Sequence, residues 1–271
     1  MFKINNLTYQ YDKTRKALNN VSMDFNKGDI IGIIGSNGSG KSTLFNNLMG
    51  ILKSTEGEIL YNGEQIKYDK KSLYNLRKEV GIVFQDPEKQ IFYSMVYDDI
   101  AFALRNIGMD EKTIKDRIYT ALEAVNGLQF IDRPVHNLSF GQKKRVAIAS
   151  VVAMENKLVL LDEPTAGLDP ISTRAIVDII KGLNDRGVKI IISSHDMNLI
   201  YEICDYVYVL NQGVLINEGT RAEVFVNEEK INEAGLELPW LVKLHKNMGL
   251  PLFPKEEDLY SFWNKQAQKT V

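Results

Sequence analysis

Cysteine is nearly absent: Cys204 stands alone in 271 residues. An internal disulfide is excluded, a reducing compartment fits, and the residue reads as a small buried hydrophobe on a helix. Histidine is scarce too. His136 and His245 read as ordinary surface or packing residues, and with Cys204 and the scattered methionines they form no ligand-spaced cluster, so no transition-metal site is expected. No apolar run approaches the ~18 residues needed to span a bilayer; the longest, Val146 to Met154, stops at Glu155-Asn156-Lys157. Met1–Asn6 lacks the apolar core of a signal peptide. Charge of one sign is also missing: 33 Lys+Arg face 35 Asp+Glu, for a net charge of −2. That balance carries no nucleic-acid footprint. A soluble chain that meets membranes only through a partner is expected.

Against these absences stands one dense motif, Gly35-Ser36-Asn37-Gly38-Ser39-Gly40-Lys41-Ser42-Thr43, which fits G-x-x-x-x-G-K-[ST]. Ile30–Ile34 before it is apolar enough for a buried strand, and Leu44–Met49 after it can continue as a helix. A strand–glycine loop–helix unit turns several backbone N–H groups and a helix N-terminus toward one point, which suits a polyphosphate. In such a loop Lys41 reaches the β- and γ-phosphates and the Ser42 hydroxyl ligates Mg²⁺. The chain is therefore expected to bind a nucleoside triphosphate.

The elements around this loop read as α/β. Residues 1–9 and 20–26 alternate as strands of an antiparallel layer, and 58–61 followed by Asn62-Gly63 reads as a strand and tight turn. Residues 80–84, 158–161 and 189–192 have the near-continuous apolar character of strands buried on both faces of a parallel sheet. Residues 171–185 form the helix between the last two, and 206–216 a hairpin. From about 94 to 133 the pattern is helical, and a further helix runs to Met154. Past about 226 helical, charged and aromatic-dotted segments carry Pro239, Pro251 and Pro254. The expected division is a nucleotide-binding domain over 1–225 and a C-terminal appendage over 226–271.

Strand 158–161 runs into Asp162-Glu163. Carboxylates at the C-terminal edge of a parallel strand lie at the crevice where such sheets bind ligands. Asp162 suits Mg²⁺, through water, and Glu163 suits polarisation of an attacking water; the alternative for the pair is a surface ion pair at a strand end. Leu138-Ser139-Phe140-Gly141-Gln142 opens a helix whose hydroxyl and amides form an anion site. His195 follows a strand, and Gln85 follows the strand ending at Phe84.

In this order, the loop, the Ser139 segment, the Asp-Glu pair and the histidine resemble the ATP-binding subunits of ABC transporters, nearly continuously over residues 1–225. The resemblance implies an ATP-binding domain with a helical subdomain at about 86–153, and the following roles. Tyr11 stacks on adenine, the alternative being a half-buried tyrosine at a strand end. Gln85 senses Mg²⁺ and the attacking water and links the site to a transmembrane partner. Ser139, Gly141 and Gln142 belong to the signature segment that contacts the γ-phosphate held by an opposite protomer. Asp169 lies in the loop crossing the dimer seam. His195 is the switch histidine that touches the γ-phosphate and steadies Glu163. Phe140 stands where the commonest family pattern has glycine, so altered packing is expected there. A chromosome-maintenance ATPase would need a long coiled coil between loop and signature, and a translation-factor relative would carry two cassettes; this sequence shows neither. A catalytically silent module is opposed by Lys41, Asp162, Glu163 and His195 all being present.

Val83–Phe92, Asp98–Phe102, the run Gln142–Ala149 and Ala234–Trp240 are similar to the ATPases of energy-coupling-factor importers, which carry cobalt, nickel or vitamins. Residues 138–240 are most similar to the cobalt-importing members. The resemblance implies ATP and Mg²⁺ as ligands, a cycle of dimer closure on ATP, and a second ATPase protomer, identical or different. It also implies a transmembrane coupling subunit, a substrate-binding membrane subunit, no nucleic acid, and a place on the cytoplasmic face of the cell membrane.

Overall fold

The computed structural model describes residues 1–12 and 15–267. Strands β1 (Phe2–Gln10), β2 (Lys16–Asp24), β4 (Glu56–Tyr61) and β5 (Glu64–Gln65) form an antiparallel sheet in the order β2-β1-β4-β5. The second sheet runs β10-β9-β3-β8-β7-β6. Its strands β3 (Ile30–Ile34), β6 (Val80–Val83), β7 (Leu158–Asp162), β8 (Lys189–Ser194) and β9 (Tyr206–Asn211) are parallel, and β10 (Val214–Thr220) pairs antiparallel with β9 at the edge.

Side chains alternate across a strand, so the central sheet feeds two cores. Ile31, Ile33, Leu158, Leu160 and Ile191 pack beneath the antiparallel sheet with Phe2, Phe25 and Phe45. Ile30, Ile34, Val159, Leu161, Ile190 and Ile192 point the other way, into a larger helical core. This two-sided burial is why the strands read as continuous apolar runs. It also explains Gly32, where a Cβ would come within 3.1 Å of Cys204 Sγ and Ile200 Cγ2. Cys204 is fully buried beside it, and burial pushes its thiol pKa up.

Helix α1 (Lys41–Leu48) follows the glycine loop, and α2 (Lys70–Glu79) precedes β6. Helices α3 (Val96–Asn106), α4 (Glu111–Ala124) and α5 (Phe140–Ala153) pack together through Ile100, Leu104, Ile118, Leu122 and Val146. Helices α6 (Pro170–Asp185) and α7 (Met197–Ile203) flank β8. The chain ends in α8 (Arg221–Val226), α9 (Glu228–Glu233), α10 (Trp240–Met248) and α11 (Glu256–Ala267). Ile231, Ala234, Leu236, Leu238, Val242 and Phe253 from this C-terminal segment bury into the same core as α6 and α7. Tyr201 on α7 donates its hydroxyl to the Phe253 carbonyl at 3.1 Å.

The fold class expected from the sequence is the one found. Two local differences have physical causes. Strand β2 covers 16–24 rather than 20–26, because Tyr9 pairs with Leu18 while Leu7 pairs with Val21, which leaves one extra residue on β2. Asn20 takes a φ of 54° in this stretch, and the irregularity breaks the alternation that marks a strand. Helix α2 was not legible as amphipathic because only Leu76 is buried on it; Asp69 caps it through the amides of Lys71 and Ser72.

Candidate active site

The glycine loop is held from behind by the turn between β9 and β10. The Gly213 amide donates to the Ser39 carbonyl at 2.9 Å, and Asn19 N–H to the Gly213 carbonyl at 2.8 Å. Gly40, at φ 108°, begins α1, and a Cβ there would lie 2.6 Å from the Ala17 carbonyl oxygen. Only glycine tolerates both constraints. No side chain caps α1 and no acid lies in its first turn, so its leading amides form a positive end with no built-in anion.

Asn37, Gly38, Ser39, Gly40, Lys41, Ser42 and Thr43 line a cavity of about 590 Å³, together with Tyr11, Gln85 and Glu163. Gly35 and Ser36 enter differently: their carbonyls accept the Lys41 ammonium at 2.7 and 3.2 Å. Ser39 Oγ is buried and finds no hydrogen-bond partner among the described residues. Such an orphaned hydroxyl in an amide-rich cradle fits phosphate oxygens. Tyr11 lies just beyond β1, is 64% exposed, and shares a 3.2 Å hydrogen bond between its hydroxyl and Thr43 Oγ1. An exposed ring at the mouth of the cavity, edge-on to Tyr9, has a face available for a planar base.

Asp162 and Glu163 are each 4% exposed, so the pair is not a surface ion pair. Asp162 Oδ1 accepts the Ser193 hydroxyl at 2.5 Å. Glu163 is held by β8: its amide donates to Ser193 O at 3.1 Å and lies 3.0 Å from Ser193 Oγ. Its Oε2 is 2.7 Å from His195 Nδ1 and accepts the His195 amide at 3.3 Å. Its Oε1 is buried, makes no hydrogen bond, and lies 3.7 Å from Lys41 Nζ. One carboxylate oxygen is thus anchored to the histidine while the other points to the lysine side of the cavity.

Ser42, Gln85 and Asp162 line an adjoining cleft together with Phe140 and Gly167. Their hydroxyl, amide and carboxylate oxygens are the donor set a hard divalent cation prefers, so Mg²⁺ fits these residues.

The signature residues lie apart from the cavity. Ser139 and Gln142 close a capping box on α5: Ser139 Oγ accepts the Gln142 amide at 3.3 Å, and Gln142 Oε1 accepts the Ser139 amide at 3.0 Å. A Cβ on Gly141 would lie 3.1 Å from Ser172 Oγ and 3.5 Å from Leu168. Asp169 caps α6, and the Ser172 amide and hydroxyl hold its carboxyl below the ordinary range. Phe140 leans on Gly167, where a Cβ would lie 3.4 Å from its ring. The structure therefore gathers Tyr11, the glycine loop, Gln85, Asp162, Glu163 and His195, whereas Ser139, Gly141, Gln142 and Asp169 line neither the cavity nor the adjoining cleft, although Phe140 beside them reaches the cleft.

Ser193 and Lys144 were not singled out from the sequence. Ser193 orients both acidic residues, and its only signal was its place at the end of an apolar strand two residues before His195. Lys144 is fully buried, and its ammonium donates to the Glu163 carbonyl at 2.7 Å. Burial lowers its pKa to about 8, against the opposing pull of Glu163, Asp162 and Asp86.

The ABC transporter family model matches residues 18–166. A cobalt import ATP-binding protein of Salmonella typhimurium is 47% identical, over 96% of this chain and 94% of its own length. An energy-coupling factor transporter ATP-binding protein of Methanocaldococcus jannaschii is 45% identical, over 88% of this chain and 85% of its own. Among solved structures, CbiO1 of Clostridium perfringens, part of the ABC transporter complex CbiONQ, superposes with a TM-score of 0.77. That structure is 41% identical and covers 90% of this chain and 98% of its own.

Proposed function

The chain belongs to the ABC transporter family as an ATP-binding, ATP-hydrolysing subunit, and from that premise we propose that it energises an importer of cobalt ions. The observation that carries the catalytic reading is Glu163, buried between His195 at 2.7 Å and Lys41 at 3.7 Å beside the glycine loop. ATP seated in the cavity would place its phosphates on the α1 amides and the Lys41 ammonium, with adenine against Tyr11. Mg²⁺ held by Ser42, Gln85 and Asp162 would supply charge neutralisation to the polyphosphate. Glu163 accepts a proton from the attacking water, and His195 fixes the carboxylate that does so. Ser193 keeps Glu163 and Asp162 in register with each other.

The second half of each site is proposed to come from another copy of this chain. Ser139, Gly141 and Gln142 head a helix whose amides suit an anion, yet they lie outside their own chain's cavity. Two copies facing each other place each signature on the other's γ-phosphate. The exposed Tyr260 and Trp263 of α11 offer an additional contact for the same pairing; Trp263→Ser leaving the ATP-driven pairing unchanged would remove them from it. Because Ile231, Ala234, Leu236, Leu238, Val242 and Phe253 bury into the main core, point changes on α11 test this better than truncation does.

The membrane partner is proposed to dock beside Gln85. Phe92 is 76% exposed and sits with Tyr93 and Phe102 in one aromatic patch. Exposed apolar clusters of this kind suit a protein partner. The loop behind the patch is braced on α5, since Gln90 accepts the Phe84 amide and donates to the Ala147 carbonyl. No helix among the described residues is long and apolar enough to cross a membrane; the peripheral place on the cytoplasmic face is proposed from the likeness to transporter ATP-binding proteins.

Cobalt rests on the named relatives, because nothing in an ATPase touches the cargo. The decisive experiment is uptake of radioactive cobalt, nickel or a vitamin into vesicles holding the chain with its membrane subunits. Cobalt uptake that needs ATP and is lost in Glu163→Gln supports the reading; nickel or vitamin uptake without cobalt overturns the cargo alone.

A further inference from the structure

We propose that Lys144 is a positioning residue for hydrolysis, tying the first turns of α5 to the backbone of Glu163 so that the carboxylate is aimed only when α5 is in place. The inference rests on the reading of Glu163 as the base.

Glu163 is an unusual residue to find at φ 46°, a backbone conformation that residues other than glycine and asparagine rarely adopt. Such a turn persists only where its surroundings over-determine it. Here its two peptide groups are pinned from different elements. The amide is held by Ser193 of β8. The carbonyl accepts the Ala166 amide at 3.2 Å and the Lys144 ammonium at 2.7 Å, the latter from α5. A rotation or shift of α5 of an ångström or two breaks the second bond and leaves the first intact. The χ angles of Glu163 start from this backbone, so the change reaches Oε1 and Oε2.

The chemistry of Lys144 points the same way. A fully buried ammonium loses its hydration, and among the described residues it forms no salt bridge. An apolar side chain of the same length would stabilise the fold as well or better. What the lysine adds is one directional donor, spent on the Glu163 carbonyl. The Phe140 ring, 5.5 Å from Nζ, closes the site on one side and rests on Gly167, the next turn along from Glu163. One helix turn of α5, Phe140 to Lys144, thus touches both ends of the segment 163–167. The same helix carries the signature and braces the Gln85 loop through the Lys143–Glu88 ion pair. Lys144 makes the base responsive to both.

The test uses the full chain and Lys144→Met, which keeps an unbranched apolar stem but removes the donor. The expected result is a loss of kcat of about tenfold or more, with KM for ATP close to the parent's and Tm no lower than the parent's, and recovery of kcat to within about threefold in Lys144→Arg. A kcat within twofold of the parent, or a loss matched by falls in ATP affinity and Tm that Lys144→Arg does not recover, overturns the proposal. If Lys144→Met is insoluble, Lys144→Gln, whose donor is one atom shorter, is judged by the same kcat criterion. Glu163→Gln run alongside separates the two claims. Parent-like turnover in that variant sinks the reading of Glu163, whereas a dead Glu163→Gln with a parent-like Lys144→Met sinks only the inference about Lys144.

Discussion

The glycine-loop face and the signature face of this chain are built in opposite ways. On the first, the charged groups are buried and mutually held: Lys41 on two loop carbonyls, Glu163 on His195, Asp162 on Ser193. On the second, Ser139, Gln142 and Asp169 spend their side chains capping their own helices and sit toward the surface. The first gathers the groups that suit a triphosphate around one cavity; the second is a helix terminus capped by its own side chains. This contrast is what the proposal of a reaction centre assembled between copies rests on.

Changes on the glycine-loop face should therefore hit chemistry or nucleotide binding inside one chain, and changes on the signature face should hit pairing. The largest effect belongs to Glu163→Gln, expected to lower kcat on the order of a thousandfold while ATP affinity stays within a few-fold. Phosphate release and equilibrium binding measure the two sides, and turnover near the parent's would remove Glu163 from its role. Lys41→Ala comes next. It deletes an ammonium placed to meet the phosphates and takes its donor from the Gly35 carbonyl, while the Ser36 carbonyl keeps the Ser39 amide, so ATP affinity should fall by about 30- to 100-fold, read by calorimetry. Ser139→Ala is smaller. It removes the α5 cap, at a stability loss of about 1 kcal/mol, and should weaken ATP-driven pairing while nucleotide binding by a single chain is kept. Equal loss of both would erase the contrast between the faces.

The last effect, on stability alone, is a pH dependence. Lys144 has a folded pKa of about 8 against an ordinary value of 10.5. Between these values the unfolded chain binds more protons than the folded one, so stability gains as pH rises from 8 to 10.5, and the full burial penalty applies below 8. The Tm of the nucleotide-free parent should thus rise relative to Lys144→Met across that window. A constant difference would mean that the buried ammonium is not desolvated.

Much of the glycine-loop face was legible in the sequence because its chemistry is local. Gly35 to Thr43 is one stretch, and Asp162-Glu163 sits at the end of a strand that reads as apolar on both faces. The parallel sheet was legible for the same reason. What was hidden is non-local. Ser193 gained its importance from the register that sets β7 beside β8, with Asp162 opposite Ser193. Lys144 lies 19 residues from Glu163 and reads as one of three adjacent basic residues on a helix; only the packing of α5 against the turn after β7 buries it. The separation of the signature from the cavity also depends on tertiary placement, which no periodicity records.

The most direct test of the assembled centre is the mass of Glu163→Gln in solution with saturating ATP and Mg²⁺, by sedimentation equilibrium. Two chains holding one ATP each, falling apart when nucleotide is removed, is the predicted result. A single chain carrying bound ATP at every protein concentration would contradict it.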